Sequence, residues 1–387
     1  MREVDLLVAG AGPAGCAAAL AARRTAPGLR LLVVDAARFP RDKPCGGAIT
    51  GGGLRELELC GLALRVPHAI AAHAALRVDG RSTRVALPRP AAVVRRLEWD
   101  HDLVAQVRER GVEVAEGAAL RSLAREGRAF LVATDSGSVR CRAIVCADGA
   151  AGRSRRLLGL PPGRRAPLRE QVAPRGQGDL VFDLDAAPAG YAWRFPCLDA
   201  GASAESVGIY SMESTPSLSA TLLHWMERER LAPPRGAGAA AGNGAAERAE
   251  PAPWSLRLWR PGDPVGVPGA LLAGDALGAD SLAGEGIRYA LWSGRLAGEA
   301  AVRALQRGAA PSPDAYRRRL RLSRSGTALA LLSRLGPRLH GGDPRWRRMA
   351  ADPEVASALA AIVSGGHPAR PLWTLLSRYR ALRGAPP

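Results

Sequence analysis

The stretch from Val4 to Asp35 constrains this chain more than any other. Val4-Asp5-Leu6-Leu7-Val8-Ala9 is an apolar run of strand length, Gly10-Ala11-Gly12-Pro13-Ala14-Gly15 follows at once, and Cys16 to Ala22 reads as helix. A second apolar run, Leu31-Leu32-Val33-Val34, ends in Asp35. Strand, glycine turn, helix, strand and terminal acid form the dinucleotide fingerprint in the context it requires. Gly10 permits the tight turn, Gly12 lets a pyrophosphate approach the backbone, and Gly15 lets helix pack on strand. Pro13 and Ala14 open the helix, whose unpaired N–H groups face the phosphates. Asp35, followed by Ala36, stands where a carboxylate binds a ribose hydroxyl. The alternative, an ordinary tight turn, does not explain the flanking strand, helix and acid.

At 387 residues the chain can bury a large core and is expected to form two domains sharing an interface. No apolar run reaches the roughly 18–20 residues needed to span a bilayer. The first strand begins too early to leave room for a signal peptide, so a cytoplasmic location is expected. Cys16, Cys45, Cys60, Cys141, Cys146 and Cys197 show neither CxxC nor metal-ligand spacing, which predicts free thiols in a reducing compartment and no metal. The formal charge is +18, carried almost wholly by arginine in a chain rich in Ala, Gly, Pro and Arg. No nucleic-acid motif accompanies it, so no nucleic-acid partner is expected. Lys43 is the single lysine.

The loop Arg38–Ile49 has two prolines and adjacent glycines, and a short helix is expected to follow Gly51-Gly52-Gly53. Residues 74–87 alternate around Asp79-Gly80 as a hairpin. A helix is expected over Glu98–Arg110, a short strand at Val112–Val114, an antiparallel meander over 118–141, and a buried strand over Ala143–Ala147. Short strands at Leu180–Phe182, Tyr191–Phe195 and Ser206–Tyr210, a helix over 217–230, a flexible Ala/Gly/Pro-rich loop over 232–253 and a strand at Leu271–Ala273 follow. A long small-residue helix starts near Gly284-Glu285-Gly286, and 311–387 reads as helices separated by Gly336-Pro337 and Gly341-Gly342.

Cys146-Ala147-Asp148-Gly149, Gly274-Asp275-Ala276-Leu277-Gly278 and Gly284-Glu285-Gly286-Ile287 occur in this order after the fingerprint. Together, over residues 1–310, they resemble the FAD-binding domain shared by aromatic hydroxylases and geranylgeranyl reductases. The resemblance implies that Asp275 binds the ribityl and diphosphate part of FAD and that the helix start at Gly284–Ile287 lies under the flavin ring. There its N–H groups stabilise charge gained on reduction. It also implies that Arg96, in Arg-x-x-Trp99-Asp100, sits near the cofactor, with Asp148-Gly149 as the acid–glycine motif. Arg41-Asp42-Lys43-Pro44-Cys45-Gly46-Gly47 resembles the geranylgeranyl reductase Lys-x-Cys-Gly-Gly segment beside the flavin. Tyr191-Ala192-Trp193-Arg194-Phe195-Pro196 resembles the same family's Tyr-x-Trp-x-Phe-Pro strand, which walls the substrate cavity. One departure is Ser281-Leu282-Ala283, where members often have proline. The related halogenases' Trp-x-Trp-x-Ile-Pro is not matched.

The expected fold is α/β: a Rossmann-type FAD-binding domain (1–65, 95–160 and 260–310), an inserted antiparallel-sheet substrate domain (66–94 and 161–259) and a helical C-terminal region (311–387). The favoured function is reduction of C=C bonds in a hydrophobic, isoprenoid-like substrate, with FAD reduced by NAD(P)H or another donor. Cys45, Tyr191 and Trp193 are the candidate catalytic residues, and the proton donor is unassigned. Two other readings stand beside it: an FAD-dependent monooxygenase of an aromatic or polyketide-like substrate, and a flavoprotein that binds a lipid or partner with little catalysis. Residues 311–387 hold fourteen arginines against Asp314, Asp343, Asp352 and Glu354. Their interleaving with leucines reads either as peripheral association with anionic membrane or as a solvated face over packed leucines.

Overall fold

The computed structural model describes residues 1–174, 178–213, 217–231, 251–366, 371–375 and 377–378. The opening unit is β1 (Arg2–Ala9), α1 (Pro13–Thr25) and β2 (Leu31–Val34), followed by β3 (Ala48–Ile49), α2 (Gly51–Cys60) and the hairpin β4 (His68–Val78) and β5 (Arg81–Val94). Then come α3 (Arg96–Glu109), β6 (Glu113–Ala115), β7 (Leu120–Glu126), β8 (Ala129–Thr134), β9 (Gly137–Cys146) and the short α4 (Ser154–Leu157). β10 (Arg164–Pro174), β11 (Leu180–Asp183), β12 (Gly190–Asp199), β13 (Ala202–Ser211), α5 (Leu218–Arg228), β14 (Ala252–Leu258), β15 (Gly266–Val267) and β16 (Ala270–Leu272) lead into α6 (Ile287–Gln306). Four further helices close the chain: α7 (Pro313–Arg321), α8 (Arg324–Leu339), α9 (Pro344–Ala351) and α10 (Pro353–Val363).

The strands form two sheets. In the first, the order is β15-β16-β9-β1-β2-β6, with the β7–β8 hairpin attached through β9. β1 lies parallel to both neighbours, Leu7 opposite Leu32 and Ile144. Its residues from Leu6 onward are almost all buried on both faces, as a parallel strand covered by helices must be. α6 crosses α1 at Gly294 and Gly298, where a Cβ would stand 2.1 Å from the Ala14 carbonyl and 2.3 Å from that of Ala18. Only glycine allows helices to approach so closely, and this holds α6 under the fingerprint.

The second sheet runs β14-β10-β13-β12-β11-β4-β5-β3, antiparallel except where β11 meets β4. One face packs on α8, α9 and α10 through Tyr191, Leu332, Leu339, Val355 and Ile362. The other carries α5 through Ile209, Leu222 and Trp225.

Several elements depart from the sequence expectation. The meander and the strand at Ala143–Ala147 are joined: β9 pairs with β8 over its first half and with β1 from Val139 onward. β10 and β14, unforeseen, pair with each other, and β14 takes up 252–253 of the expected loop, whose residues 232–250 lie outside the described residues. α2 begins on Gly51 itself, capped by the Thr50 hydroxyl. Pro88 and Pro90 lie in β5 because residues 87–90 fall in an irregularity where the β4 ladder shifts register, so their missing N–H groups cost no ladder bond. Finally, α8 runs through Gly336-Pro337 instead of breaking there. Pro337 cannot donate to the Ser333 carbonyl, which accepts the Ser281 hydroxyl instead, at 3.2 Å.

Candidate functional site

A single cavity of about 710 Å³ joins the two sheets. One end opens over the carboxyl ends of β1 and β2, at Gly10, Gly12 and Asp35, where ligands bind in open α/β sheets. The middle is lined by the loop 41–48, Arg96, Gly274-Asp275 and Gly284–Ile287; the far end runs between Phe182, Tyr191, Trp193 and Phe195 and the helix α10.

The three fingerprint glycines do different things. Gly10, at φ +106°, has no room for a Cβ, which would stand 2.3 Å from the Ala147 carbonyl; on Gly15 it would meet the Gly10 carbonyl at 1.7 Å. On Gly12 it would meet only Arg41 Nη2, at 3.8 Å. Gly12 therefore faces open cavity beside the start of α1, a space that fits a pyrophosphate. Asp35 accepts the Ala11 N–H at 2.6 Å and the Ala37 N–H at 2.8 Å, one on each oxygen. Pro13, Ala14 and Ala36 line the same end.

The loop 41–47 ties this end to the second sheet. Lys43 Nζ lies 2.9 Å from Asp275 Oδ2 and over the Trp254 ring at 5.4 Å. Burial pushes Asp275 up, but the Lys43 ammonium, helped by Arg96 and Arg257, holds its carboxyl below the ordinary range. Arg96 donates twice to Asp100 at 2.7 Å. Arg41 reaches the same carboxylate at 2.8 Å, and the Cys45 thiol lies against the Arg96 guanidinium. Gly47, at φ +71°, would place a Cβ 2.1 Å from the Val94 carbonyl; Gly46 would place one 2.8 Å from the Phe195 ring and 3.1 Å from Trp193 Nε1. The paired glycines thus let Cys45 stand where the aromatic strand meets the cofactor end.

Tyr191, Trp193 and Phe195 alternate along β12 and line the far end together, as side chains two apart on a strand do. Tyr191 is 6% and Trp193 4% exposed. The segment 280–286 is held from all sides. Asp280 accepts from the N–H groups of Leu282, Ala283 and Glu285. The Tyr191 hydroxyl donates to the Ala283 carbonyl, Tyr210 to Ser281, and His340 Nε2 lies 2.8 Å from the Leu282 carbonyl. These contacts fix the Ser281-Leu282-Ala283 stretch in place. Glu285 accepts the Thr50 hydroxyl on Oε1, while Oε2, 3.7 Å from Arg288, is buried without a hydrogen bond. Burial pushes its pKa up to about 7, against the Arg288 charge and the Thr50 bond.

Two expectations gain detail. The helix starts at Ile287, so Gly284–Gly286 form the turn before it, Gly284 at φ +60° and with its Cβ position 3.2 Å from the Tyr191 hydroxyl. Asp148-Gly149 lines the cavity, but the Asp148 carboxylate turns to the Ser154 N–H, at 2.8 Å, and to its hydroxyl, so it shapes the loop before α4.

The family model described as FAD binding domain matches residues 3–229. The chain is 31% identical over 328 residues to "Menaquinone reductase" of Mycolicibacterium smegmatis, covering 77% of this chain and 76% of that one. It is 30% identical over 334 residues to "Digeranylgeranylglycerophospholipid reductase 1" of Methanopyrus kandleri, covering 79% and 82%. The chain belongs to the geranylgeranyl reductase family of FAD-binding flavoproteins. The fold is also that of a geranylgeranyl bacteriochlorophyll reductase-like protein from Thermoplasma acidophilum, at TM-score 0.73 and 19% identity over 99% of this chain and 98% of that one.

FAD is accordingly the cofactor of this geranylgeranyl reductase family member, and the open space over Gly12 and the Lys43–Asp275 pair fit it. Sequence reasoning missed Arg41, Thr50, Asp280, Tyr210 and His340. His340 carries no motif of its own, because its partner, the Leu282 carbonyl, is distant in sequence; Asp280 bonds N–H groups two to five residues on, a local turn pattern that was readable. Thr50 was readable as a helix cap, though its bond to Glu285 was not. Among the described residues no cluster of His, Cys, Asp and Glu has the arrangement of a metal site.

Proposed function

We propose that this protein reduces carbon–carbon double bonds in a hydrophobic, isoprenoid-like substrate. The observation that carries the reading is the continuity of the FAD end with an apolar, aromatic-walled arm inside one cavity. Hydride transfer is the chemistry that bound FAD supplies there. Lys43 and Asp275 hold the charge balance at the cofactor end, and the turn 284–286 is fixed by Asp280, Tyr191 and His340. Trp193, Phe195 and Phe182 exclude water and orient the unsaturated chain against Cys45. The Cys45 thiol, beside Arg96, and the Glu285 carboxyl bring exchangeable protons to this junction. The electron donor is NAD(P)H or another reductant.

Residues 311–387 support peripheral contact with anionic membrane. Leu322 is 81% exposed, with exposed Arg318, Arg321 and Arg324 close in sequence, and Trp373 is 73% exposed. Leu376 and Arg380 lie outside the described residues. Among those described, no helix is long and apolar enough to cross a membrane.

The test is anaerobic turnover of the FAD-loaded protein with a polyprenyl substrate, reading substrate mass, repeated in air with oxygen uptake. Gain of two hydrogens without oxygen consumption is expected. Oxygen-dependent hydroxylation, or no turnover with any donor, overturns the reading.

A further inference from the structure

Behind the aromatic wall of the cavity lies a buried acid, Glu170. Glu170 on β10, Gly208 on β13 and Trp193 on β12 stand opposite one another across the second sheet. They share one face, and Ser206, two residues along β13 from Gly208, shares it too. Gly208 has no room for a Cβ, which would stand 2.1 Å from Trp193 Cζ2, so the indole lies over β13 where no side chain intervenes. Its N–H donates to the Ser206 hydroxyl at 3.3 Å, and that hydroxyl donates to Glu170 Oε1 at 3.2 Å. Trp193 lines the cavity, whereas Ser206 and Glu170, 2% and 4% exposed, stand behind it.

The same chain of contacts meets the loop that carries Cys45 at both ends. Arg95, at the start of α3, reaches Glu170 Oε1 at 3.4 Å and Asp42 of the loop at 3.2 Å, and Asp199 lies 3.4 Å from its Nε. At the other end, a Cβ on Gly46 would come within 3.1 Å of Trp193 Nε1. The edge of the indole that Ser206 holds is therefore the edge against which the loop packs. The ionisable groups around Glu170 are Arg95, Asp42, Asp199 and Cys197. Burial, with Asp42, pushes the Glu170 carboxyl up to about 7, against Arg95 and the Ser206 bond; burial pushes the Cys197 thiol up to about 12. As a carboxylate, Glu170 only accepts, so the Ser206 hydrogen is held toward it and the Ser206 lone pairs are left to the indole. As a neutral carboxyl it can donate to Ser206 and release that hydrogen. Chained hydrogen bonds strengthen one another, so the charge on Glu170 is felt at Trp193.

We propose that Glu170 is a positioning residue that, through Ser206, fixes the Trp193 indole against the loop 45–47 and so shapes the wall that orients the substrate. The inference rests on the reductase reading only for what that wall holds.

The test uses the FAD-loaded protein isotope-labelled at the indole nitrogens of its eight tryptophans, with W193F identifying the Trp193 N–H signal by NMR. That signal is expected to move with pH, with its midpoint at about 7. E170Q, which keeps the size of the side chain and loses its titration, is expected to flatten the profile; S206A is expected to shift the signal and flatten it as well. The remaining indole signals report whether each variant is folded, and S206A carries the test if E170Q is not. A Trp193 signal that is flat in wild type, or that titrates unchanged in the folded variants, overturns the proposal. The second readout is the affinity of a fluorescent polyprenyl probe. E170Q and S206A are expected to weaken it by about three- to tenfold at unchanged flavin content, as for the loss of one hydrogen bond. Neither is expected to have any effect in the W193F background. Unchanged affinity, or the same loss with and without the Trp193 indole, overturns the role in the substrate wall. If wild type binds no polyprenyl probe while Trp193 still titrates with Glu170, the reductase reading falls and the positioning stands.

Discussion

Lys43→Met isolates the contact on which the cofactor end depends most. Methionine keeps the apolar stem against Trp254 but removes the ammonium 2.9 Å from Asp275 Oδ2. Both partners are largely buried, at 17% and 9% side-chain exposure. Stripping one partner from a buried pair costs about 3–5 kcal/mol, because the other charge is left uncompensated. The sign with pH follows from Asp275. In the wild type its pKa is depressed, so it contributes stability above the unfolded value, near 3.9, that is lost as pH falls through the folded one. Without Lys43, burial dominates and the carboxyl is raised; its stability is then present in acid and lost as pH rises, by about 1.4 kcal/mol per pH unit until the raised pKa is passed. Urea denaturation of flavin-free wild type and variant between pH 4 and 8 measures this directly. The gap is expected to be small at pH 4, to widen to several kcal/mol by pH 8, and to shrink when Asp275→Asn is added. A gap below about 1 kcal/mol that stays flat with pH would show that water screens the pair as it does on a surface, and the argument would fail.

Gly12→Val is expected to leave the flavin-free fold intact, since nothing but Arg41 lies near its Cβ, while blocking the pyrophosphate path; purified variant should carry no FAD by absorbance. Trp193→Ala should weaken binding of a fluorescent polyprenyl probe without changing flavin content, and joint loss of both would mean that the side chain only packs the sheet. Glu285→Gln should flatten the stability profile between pH 4.5 and about 7, the window in which the wild-type carboxyl keeps its proton folded but not unfolded; wild-type stability falls with rising pH there, and parallel profiles would contradict the raised pKa. Vesicle co-sedimentation should require anionic lipid and fade at high salt; equal pelleting with neutral vesicles, or none at low salt, would remove the membrane reading.

The cofactor end was legible because its parts are local. The fingerprint places glycines, helix start and acid within one βαβ unit, and Gly274-Asp275 and Gly284–Gly286 sit at strand and helix boundaries that periodicity finds. Tyr191 and Trp193 were legible from their spacing of two and from their resemblance to a family strand. The second sheet was only half legible. β10 mixes arginines and two prolines with its apolar residues, and β14 follows a low-complexity stretch, so neither has the alternation that marks a half-buried strand. Gly336-Pro337 reads as a break in any sequence. It is not one here because Ser281, some fifty residues earlier, satisfies the carbonyl that Pro337 leaves open, and the Cβ-free Gly336 lets the Ser281 backbone lie against α8. Such compensation depends on tertiary contact and leaves no local trace.

That contact has a temporal consequence. The ribosome delivers the fingerprint in the first tenth of the chain, and the segment 280–286 well before the end. Ser333 and His340, which grip Ser281 and Leu282, emerge later still. A nascent chain that has reached only α7 therefore possesses every glycine motif, and Tyr191, Tyr210, Asp280 and Thr50 hold the turn before α6, yet it lacks the grip of α8. The full grip on segment 280–286 is thus completed only in the last quarter of synthesis, and a premature stop ahead of α8 produces a polypeptide with the nucleotide signature but without the α8 contacts to Ser281 and Leu282.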